Sequence, residues 1–263
     1  GGRLLEIGTG AGLLALLGAE AGFAEVITCE ADPLIAAAAR EVVAANGLSD
    51  RITVIAKRST ELQVGVDLPG PADALVTETF GSALLSEGVL PSLDHARRVL
   101  LAPDALIVPR AGSIMAALVG GDSLARQFAV GRVMGFDLSP FERFRMVKVT
   151  GNLDLYGESE LLSEPAEMFG FDFQNTAWHP PATRALTLTA TRSGLCQGVA
   201  QWIRLDLDDQ ATYENRPGQT GKDSGWTHYL HFFPRPRRIE AGEVIRLDAE
   251  HDRLSVDIVE AAP

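Results

Sequence analysis

Leu4-Leu5-Glu6-Ile7-Gly8-Thr9-Gly10-Ala11-Gly12 is the stretch that decides the fold. An apolar run enters a glycine turn and leaves it as the helical pattern Leu13-Leu14-Ala15-Leu16-Leu17-Gly18. Glycine lets a backbone turn that tightly and approach a ligand that closely. Strand, glycine turn and helix together place a nucleotide-like ligand at the carboxyl edge of a parallel sheet. The dinucleotide fingerprint G-x-G-x-x-G would need glycine at position 13, where Leu13 stands. The pattern present is E-x-G-x-G-x-G, with Glu6 two residues ahead of Gly8.

A second acid follows. Val26-Ile27-Thr28-Cys29 reads as the next strand and ends in Glu30, about 20 residues past the glycines, where a ribose diol would be held. A carboxylate accepts from both ribose hydroxyls at once. Downstream, strands and helices keep alternating. Pro33 to Asn46 is an alanine-rich helix stopped by Gly47, Ile52 to Ala56 is a short strand, and Ala72 to Thr77 is a strand ending at Glu78. Gly88 to Leu101 is helical, and Ala105 to Val108 is a strand closed by Pro109. Such alternation implies a parallel sheet with helices on both faces, a Rossmann-like α/β domain over 1–109.

After Pro109 the period changes to two. Leu186–Thr191, Gln201–Leu207, Val244–Leu247 and Leu254–Ile258 alternate as half-buried strands of a sandwich or barrel. The second domain is therefore an all-β, barrel-like unit over 110–263. Within it an arm, 124–154, carries the apolar residues Phe136, Leu138, Phe141, Phe144 and Met146 without an obvious local core. Pro234-Arg235-Pro236-Arg237-Arg238 reads as a solvated hairpin turn, His251-Asp252 as a turn, and Trp178 and Trp202 as core aromatics.

The 263 residues carry a formal net charge of −12, whereas a generic nucleic-acid binder would be basic. An acidic protein suits basic partners. No apolar run is long enough to span a bilayer. Cys29 and Cys196 lie in different predicted domains, far from any metal-ligand pattern, so no metal is expected and a reducing, cytoplasmic setting is the default. The chain opens at Gly1-Gly2 without a methionine, which suggests that residues precede it and that targeting signals there would go unseen.

Thr77-Glu78-Thr79-Phe80-Gly81-Ser82-Ala83-Leu84-Leu85-Ser86-Glu87-Gly88 sets two acids around a glycine-containing hairpin at the ligand edge of the sheet. A guanidinium is a planar cation with five donors in a fixed fork. One carboxylate can grip it bidentately while a second neutralises its remaining face. Two carboxylates held close are costly unless a cation joins them.

The glycine run resembles motif I of class I methyltransferases that use S-adenosylmethionine, and the hairpin resembles the double-E loop of protein arginine methyltransferases. Gly88-Val89-Leu90-Pro91-Ser92 and His95-Ala96-Arg97-Arg98 are similar to that family's next helix. Trp226-Thr227-His228-Tyr229 resembles its Thr-His-Trp loop, with Tyr in place of the final Trp. The likeness covers nearly the whole chain and is greatest to the type III, monomethylating branch.

The resemblance implies S-adenosylmethionine as cofactor and S-adenosylhomocysteine as product. Gly8, Thr9, Gly10 and Gly12 would form the cofactor turn, Glu6 would sit beneath it, Glu30 would hold the ribose, and Ser59 and Thr60 would flank the adenine. Glu78 and Glu87 would bind the arginine of a protein or peptide substrate. His228 would line that pocket and assist proton removal, and Phe80 would narrow it enough to limit the product to monomethylarginine. The arm would build a head-to-tail homodimer. The family's amino-terminal helices, and the acid that would partner His228, are not among these residues. Two rival readings stand beside this one: a methyltransferase for another nucleophile, such as a ribosomal-protein lysine or a small molecule, and a silent cofactor-binding module.

Overall fold

The structure is a computed structural model that describes residues 1–153, 159–219 and 224–261. The first unit is built from β1 (Arg3–Ile7), α1 (Leu13–Glu20), β2 (Glu25–Cys29), α2 (Pro33–Ala45), β3 (Ile52–Ile55), β4 (Ala72–Thr77), α3 (Val89–His95) and β5 (Leu101–Val108). Its five strands run parallel in the order β3-β2-β1-β4-β5. The chain starts in the middle strand, winds outward, then returns to β4 on the other side. That reversal leaves a crevice between the carboxyl ends of β1 and β4. Neighbouring residues of β1 serve opposite faces: Leu5 and Ile7 join the core beneath the sheet, Leu4 the core under α1 and α2. A parallel strand buried on both faces reads as a continuous apolar run for this reason. Helix α2 begins where sequence chemistry says it should. Asp32 accepts from the backbone N–H groups of Leu34 and Ile35, and Pro33 occupies the first turn.

The segment expected as one helix over 88–101 divides. Helix α3 stops at His95, the chain continues as a π-turn over Ala96–Leu100, and β5 begins at Leu101 rather than Ala105. The wider turn buries Leu100. It also directs the Arg97 guanidinium onto the backbone carbonyls of Phe173 and Gln174 in the second unit.

That second unit comprises β6 (Ala111–Gly120), α4 (Asp122–Phe128), β7 (Arg132–Val133), β8 (Phe136–Asp137), β9 (Lys148–Gly151), β10 (Glu160–Leu161), β11 (Ala166–Asp172), β12 (Ala182–Thr189), β13 (Gly194–Asp206), β14 (Thr212–Glu214), β15 (His228–Ile239), β16 (Val244–His251) and β17 (Val256–Glu260). All its strand pairs are antiparallel. The larger sheet runs β10-β6-β13-β15-β9, with β11 also on β6 and β14 also on β13. A smaller sheet runs β12-β16-β17, and an antiparallel bridge between Ser163 and Ala190 connects the two edges. Strand β16 alternates strictly between exposed and buried side chains. The buried set, Ile245, Leu247 and Ala249, shares one core with Ile114, Leu84 and Leu5, so the apolar interior is continuous across both units. Asp94 of α3 and Arg253 form an ion pair across the same junction.

Three expectations about the second unit need correction. Pro234–Arg238 is part of β15, not a hairpin turn. Gly198 pairs with Phe232 and Cys196 with Arg237, so Pro234 and Pro236 fall in a bulge, where a missing N–H costs the ladder nothing. Trp178 is 55 % exposed and lies under the Arg253 guanidinium at 3.8 Å, whereas Trp202 is fully buried as expected. His251 ends β16 with its ring against Phe169 and Phe171, and only Asp252 belongs to the turn, where it accepts from Leu254 and Ser255. In the arm, Leu124 packs on the sheet, but Met134, Phe136, Phe141 and Phe144 project with 93, 73, 63 and 72 % of their surface exposed. The arm's expected last residue, Asp154, lies outside the described residues.

Candidate active site

The site starts where β1 ends. Gly8 and Thr9 both donate from their backbone N–H groups to the Cys29 carbonyl, at 3.0 and 3.1 Å, which carries the β1–β2 ladder into the turn. Gly8, Gly10 and Gly12 have φ of 89°, 49° and 84°, in the left-handed region that L side chains avoid. A Cβ on Gly8 would stand 2.7 Å from the Thr79 methyl, while Gly10 and Gly12 face open space. Gly8 therefore brings the turn against the segment that follows β4. Thr9 is buried, and its hydroxyl bonds to that of Thr28 at 2.6 Å, so its side chain ties the turn to β2.

Glu6 lies beneath the turn and is 1 % exposed. Burial pushes its carboxyl up to about 7 from the ordinary 4.5. A hydrogen bond from Thr28 and one from the Ala15 backbone pull the other way, and the Glu30 charge adds to the rise. Its Oε2 has no hydrogen-bond partner among the described residues. Glu30, at the end of β2, accepts from Gly10 N–H at 3.1 Å and from Asp32 N–H at 3.0 Å, one on each oxygen. Each carboxylate oxygen keeps a second lone pair for a hydroxyl.

Across the crevice, Thr77 ends β4 and its hydroxyl donates to the Ile7 carbonyl at 2.9 Å, joining the two strand ends. The hairpin from Thr79 to Gly88 folds back on itself through Gly81 and Leu84, whose N–H donates to the Gly81 carbonyl at 2.7 Å. Leu84 holds φ of 66° although it is not glycine. That conformation costs roughly 1–3 kcal/mol and persists where packing over-determines it. Here Phe80, Leu84 and Leu85 are all sunk in the core. A Cβ on Gly81 would overlap Ser86 Oγ, so any larger residue there would force the Ser86 side chain to turn away. The acids at the two ends of this hairpin both look into the crevice. Partial burial and the nearby Glu87 charge raise the Glu78 carboxyl above its ordinary range.

One cavity of about 520 Å³ gathers these parts, a size ordinary for small-molecule sites. Its lining includes Gly8, Glu30, Ser59, Thr60, Glu78 and Glu87. Ser59 and Thr60 stand on a 3₁₀ turn over Ser59–Glu61, just past β3. Lys57, Thr79 and Ser92 border the same space and were not singled out from the sequence. Thr79 directly follows Glu78 in the hairpin motif.

His228 and Phe80 are placed differently from expectation. His228 is 2 % exposed, and its ring sits inside the β unit. Its Nδ1 accepts from Leu153 N–H at 3.0 Å, so the proton is on Nε2, which donates to the Asn215 carbonyl at 2.8 Å. A ring engaged at both nitrogens is not free to take a proton from a ligand in the crevice. The preceding residues reach the site instead. Trp226 Nε1 donates to the Phe80 carbonyl at 2.5 Å, and Thr227 N–H to Ser82 Oγ at 2.9 Å. Phe80 turns away from the cavity and packs beside Phe173, ring centroids 5.8 Å apart, so it cannot narrow the pocket directly.

No protein-family model matches the chain. In overall fold it superposes on a chain of the Trypanosoma brucei PRMT1 enzyme–prozyme heterotetrameric complex with AdoHcy, with a TM-score of 0.81, 21 % identity, and 98 % of this chain and 82 % of that one covered. It is 31 % identical over 299 residues to protein arginine N-methyltransferase 7 of Drosophila yakuba, covering 99 % of this chain but 43 % of that protein. An arginine N(omega)-methyltransferase of Streptomyces achromogenes subsp. streptozoticus is 38 % identical over 253 residues, which cover 94 % of this chain and 68 % of the relative. By that likeness, which spans 94 % of its residues, the chain belongs to the arginine N-methyltransferase family.

Proposed function

We propose that this chain transfers a methyl group to a guanidinium nitrogen of arginine in a protein or peptide. One observation carries the reading: the cavity that holds Gly8 and Glu30 is bordered by both Glu78 and Glu87. S-adenosylmethionine supplies, when bound, a methyl group on a sulfonium sulfur. The residues present fit it. The open glycine turn accepts close approach, Glu30 offers two oxygens to a ribose diol, and Ser59 and Thr60 line the same cavity, where they would flank an adenine. Glu78 and Glu87 would clamp the guanidinium from two sides, fix its plane, and hold one nitrogen in line with the methyl. Methylation of a guanidinium releases one proton. A carboxylate whose pKa is raised, as that of Glu78 is by burial and by the Glu87 charge, is the better proton acceptor, which suits Glu78 to that role. His228, bonded at both nitrogens, is not needed for it.

Finer features belong to the same reading. The product is monomethylarginine, supported by the likeness of Thr77-Glu78-Thr79-Phe80 and of Ser59-Thr60 to the type III branch. The assembly is a homodimer, supported by the exposed Phe136, Phe141 and Phe144 of the arm. The setting is cytoplasmic and reducing, supported by the free, buried thiols of Cys29 and Cys196.

The test incubates the full-length protein with labelled S-adenosylmethionine and an arginine-rich peptide, with a lysine-rich peptide in parallel, followed by mass analysis. Label on arginine as a single methyl is expected. Label on lysine alone would overturn the arginine assignment, and early dimethylarginine would overturn the monomethyl one.

A further inference from the structure

We propose that Ser82 is a positioning residue of the transfer site, through which the β unit sets the geometry of the acid pair. The proposal rests on the assignment of Glu78 and Glu87 to the guanidinium. The hairpin bearing both acids belongs to the parallel-sheet unit by chain order, yet at its tip it is gripped by the other unit. Ser82 Oγ accepts from Thr227 N–H at 2.9 Å and from the Thr227 hydroxyl at 3.1 Å. With its proton committed there, Thr227 Oγ1 receives the Thr150 hydroxyl of β9 at 2.8 Å. Beside this chain of hydroxyls, the Trp226 indole donates to the Phe80 carbonyl.

The gripping loop is itself fixed from within the β unit. The fully buried Asn215 donates from Nδ2 to the Trp226 and Thr227 carbonyls, both at 3.3 Å, while its Oδ1 accepts from Ile203 N–H of β13 at 2.9 Å. Ser224 Oγ adds a bond to the Trp226 carbonyl at 2.9 Å. The frame is rigid because buried amides and carbonyls with partners are costly to release.

Such a grip has work to do. Two carboxylates close together repel: the Glu78 carboxyl is raised first by its partial burial and further by the Glu87 charge. A hairpin anchored on one side would relax by spreading the acids. Anchored at Phe80, Leu84 and Leu85 on the core side and at Ser82 on the β side, it cannot. The chain of hydroxyls also ends on β9, the strand that returns from the arm, so contacts made by the arm bear on the same frame.

The test compares full-length wild type with Ser82→Ala, Ser82→Thr, Thr227→Val and the Ser82→Ala/Thr227→Val pair. Readouts are kcat/KM on an arginine-rich peptide, S-adenosylmethionine affinity, Tm, and amide exchange over Phe80–Leu85. Ser82→Ala should lower kcat/KM about tenfold, the scale of one hydrogen bond, and speed exchange in the hairpin, with cofactor affinity and Tm held. Ser82→Thr should restore the rate, and the pair should cost no more than its worse member. A Ser82→Ala protein as active as an active wild type overturns the proposal alone. So does a loss of cofactor affinity and Tm in step with activity, or an additive pair. A wild type inert on every arginine peptide overturns the underlying assignment, and the proposal with it.

Discussion

Replacing Glu6 with Gln should change how stability depends on pH, and the size of the effect follows from where Glu6 sits. The carboxyl is 1 % exposed beneath the glycine turn, one of its oxygens lacks a hydrogen-bond partner among the described residues, and it ionises near 7 in the fold against 4.5 ordinarily. Below about pH 4.5 the group is protonated folded or unfolded, and stability is at its fullest. As pH rises, the unfolded chain releases its proton first, so stability falls until the folded carboxyl has ionised too. The gap between the two ionisations is about 2.5 pH units, which converts to about 3 kcal/mol of stability present at low pH and lost above neutrality. Gln fills the same space, keeps a carbonyl for Thr28 and never ionises.

Denaturant unfolding of both proteins at intervals from about pH 5 to about pH 8 reads the difference. The variant should gain on the wild type by about 2–3 kcal/mol across that range, or roughly 5–10 °C in Tm at this chain length. Carboxylates common to both proteins cancel in the comparison. Two parallel stability curves would refute the reasoning, because they would mean that Glu6 ionises alike in both states.

The remaining predictions concern the crevice and the junction of the units. Glu78→Gln and Glu87→Gln should each cut arginine methylation at least about a hundredfold while cofactor binding, followed by calorimetry, stays largely intact. The wild-type rate should fall as pH drops through the raised ionisation of Glu78, since the charged form is the one that binds a guanidinium. Glu30→Ala should weaken S-adenosylmethionine by about 1.5–3 kcal/mol, the scale of hydrogen bonds to a charged group, and unchanged calorimetric affinity would remove Glu30 from the site. Arg253→Ala strands Asp94 in a buried junction and should destabilise the fold by about 3 kcal/mol in denaturant unfolding, with a change under about 1 kcal/mol counting against a structural ion pair there.

What the sequence made legible was local or periodic. The glycine run, the acid at the end of β2 and the Thr77 strand end are each written in consecutive residues, and the crevice follows from the strand order they imply. The misreadings have another origin. His228 stands at the start of β15, and its facing is set by pairing with Gly151 and by the carbonyl of Asn215, both distant in sequence. Phe80 reads as a pocket wall because it follows Glu78, but the core recruits it to Phe173. Pro234 and Pro236 are turn residues by chemistry, and a bulge between β13 and β15 absorbs them into a strand. Ser82 looks like any loop serine until Thr227 is brought to it across the junction.

The crevice has to hold positive charge twice, once on a sulfonium methyl donor and once on the guanidinium that receives the methyl. Two unit charges a few ångströms apart repel by several kcal/mol at an effective dielectric near 20, by Coulomb estimate. The protein meets that with four carboxyls in three settings. Glu6 is buried and poised between charged and neutral near pH 7. Glu30 is fixed by two backbone N–H groups. Glu78 is raised by partial burial and by the charge of Glu87 at the other end of a hairpin closed through Gly81 and Leu84. On the proposed assignment, a guanidinium between the last two would offset their mutual repulsion when arginine binds. A lysine ammonium, a compact point charge without the planar fork, would meet one carboxylate well and leave the other less satisfied. On the proposed assignment, preference for arginine would come from the two acids together more than from either alone, on a hairpin that Phe80, Leu84 and Leu85 anchor from one side and Ser82 from the other.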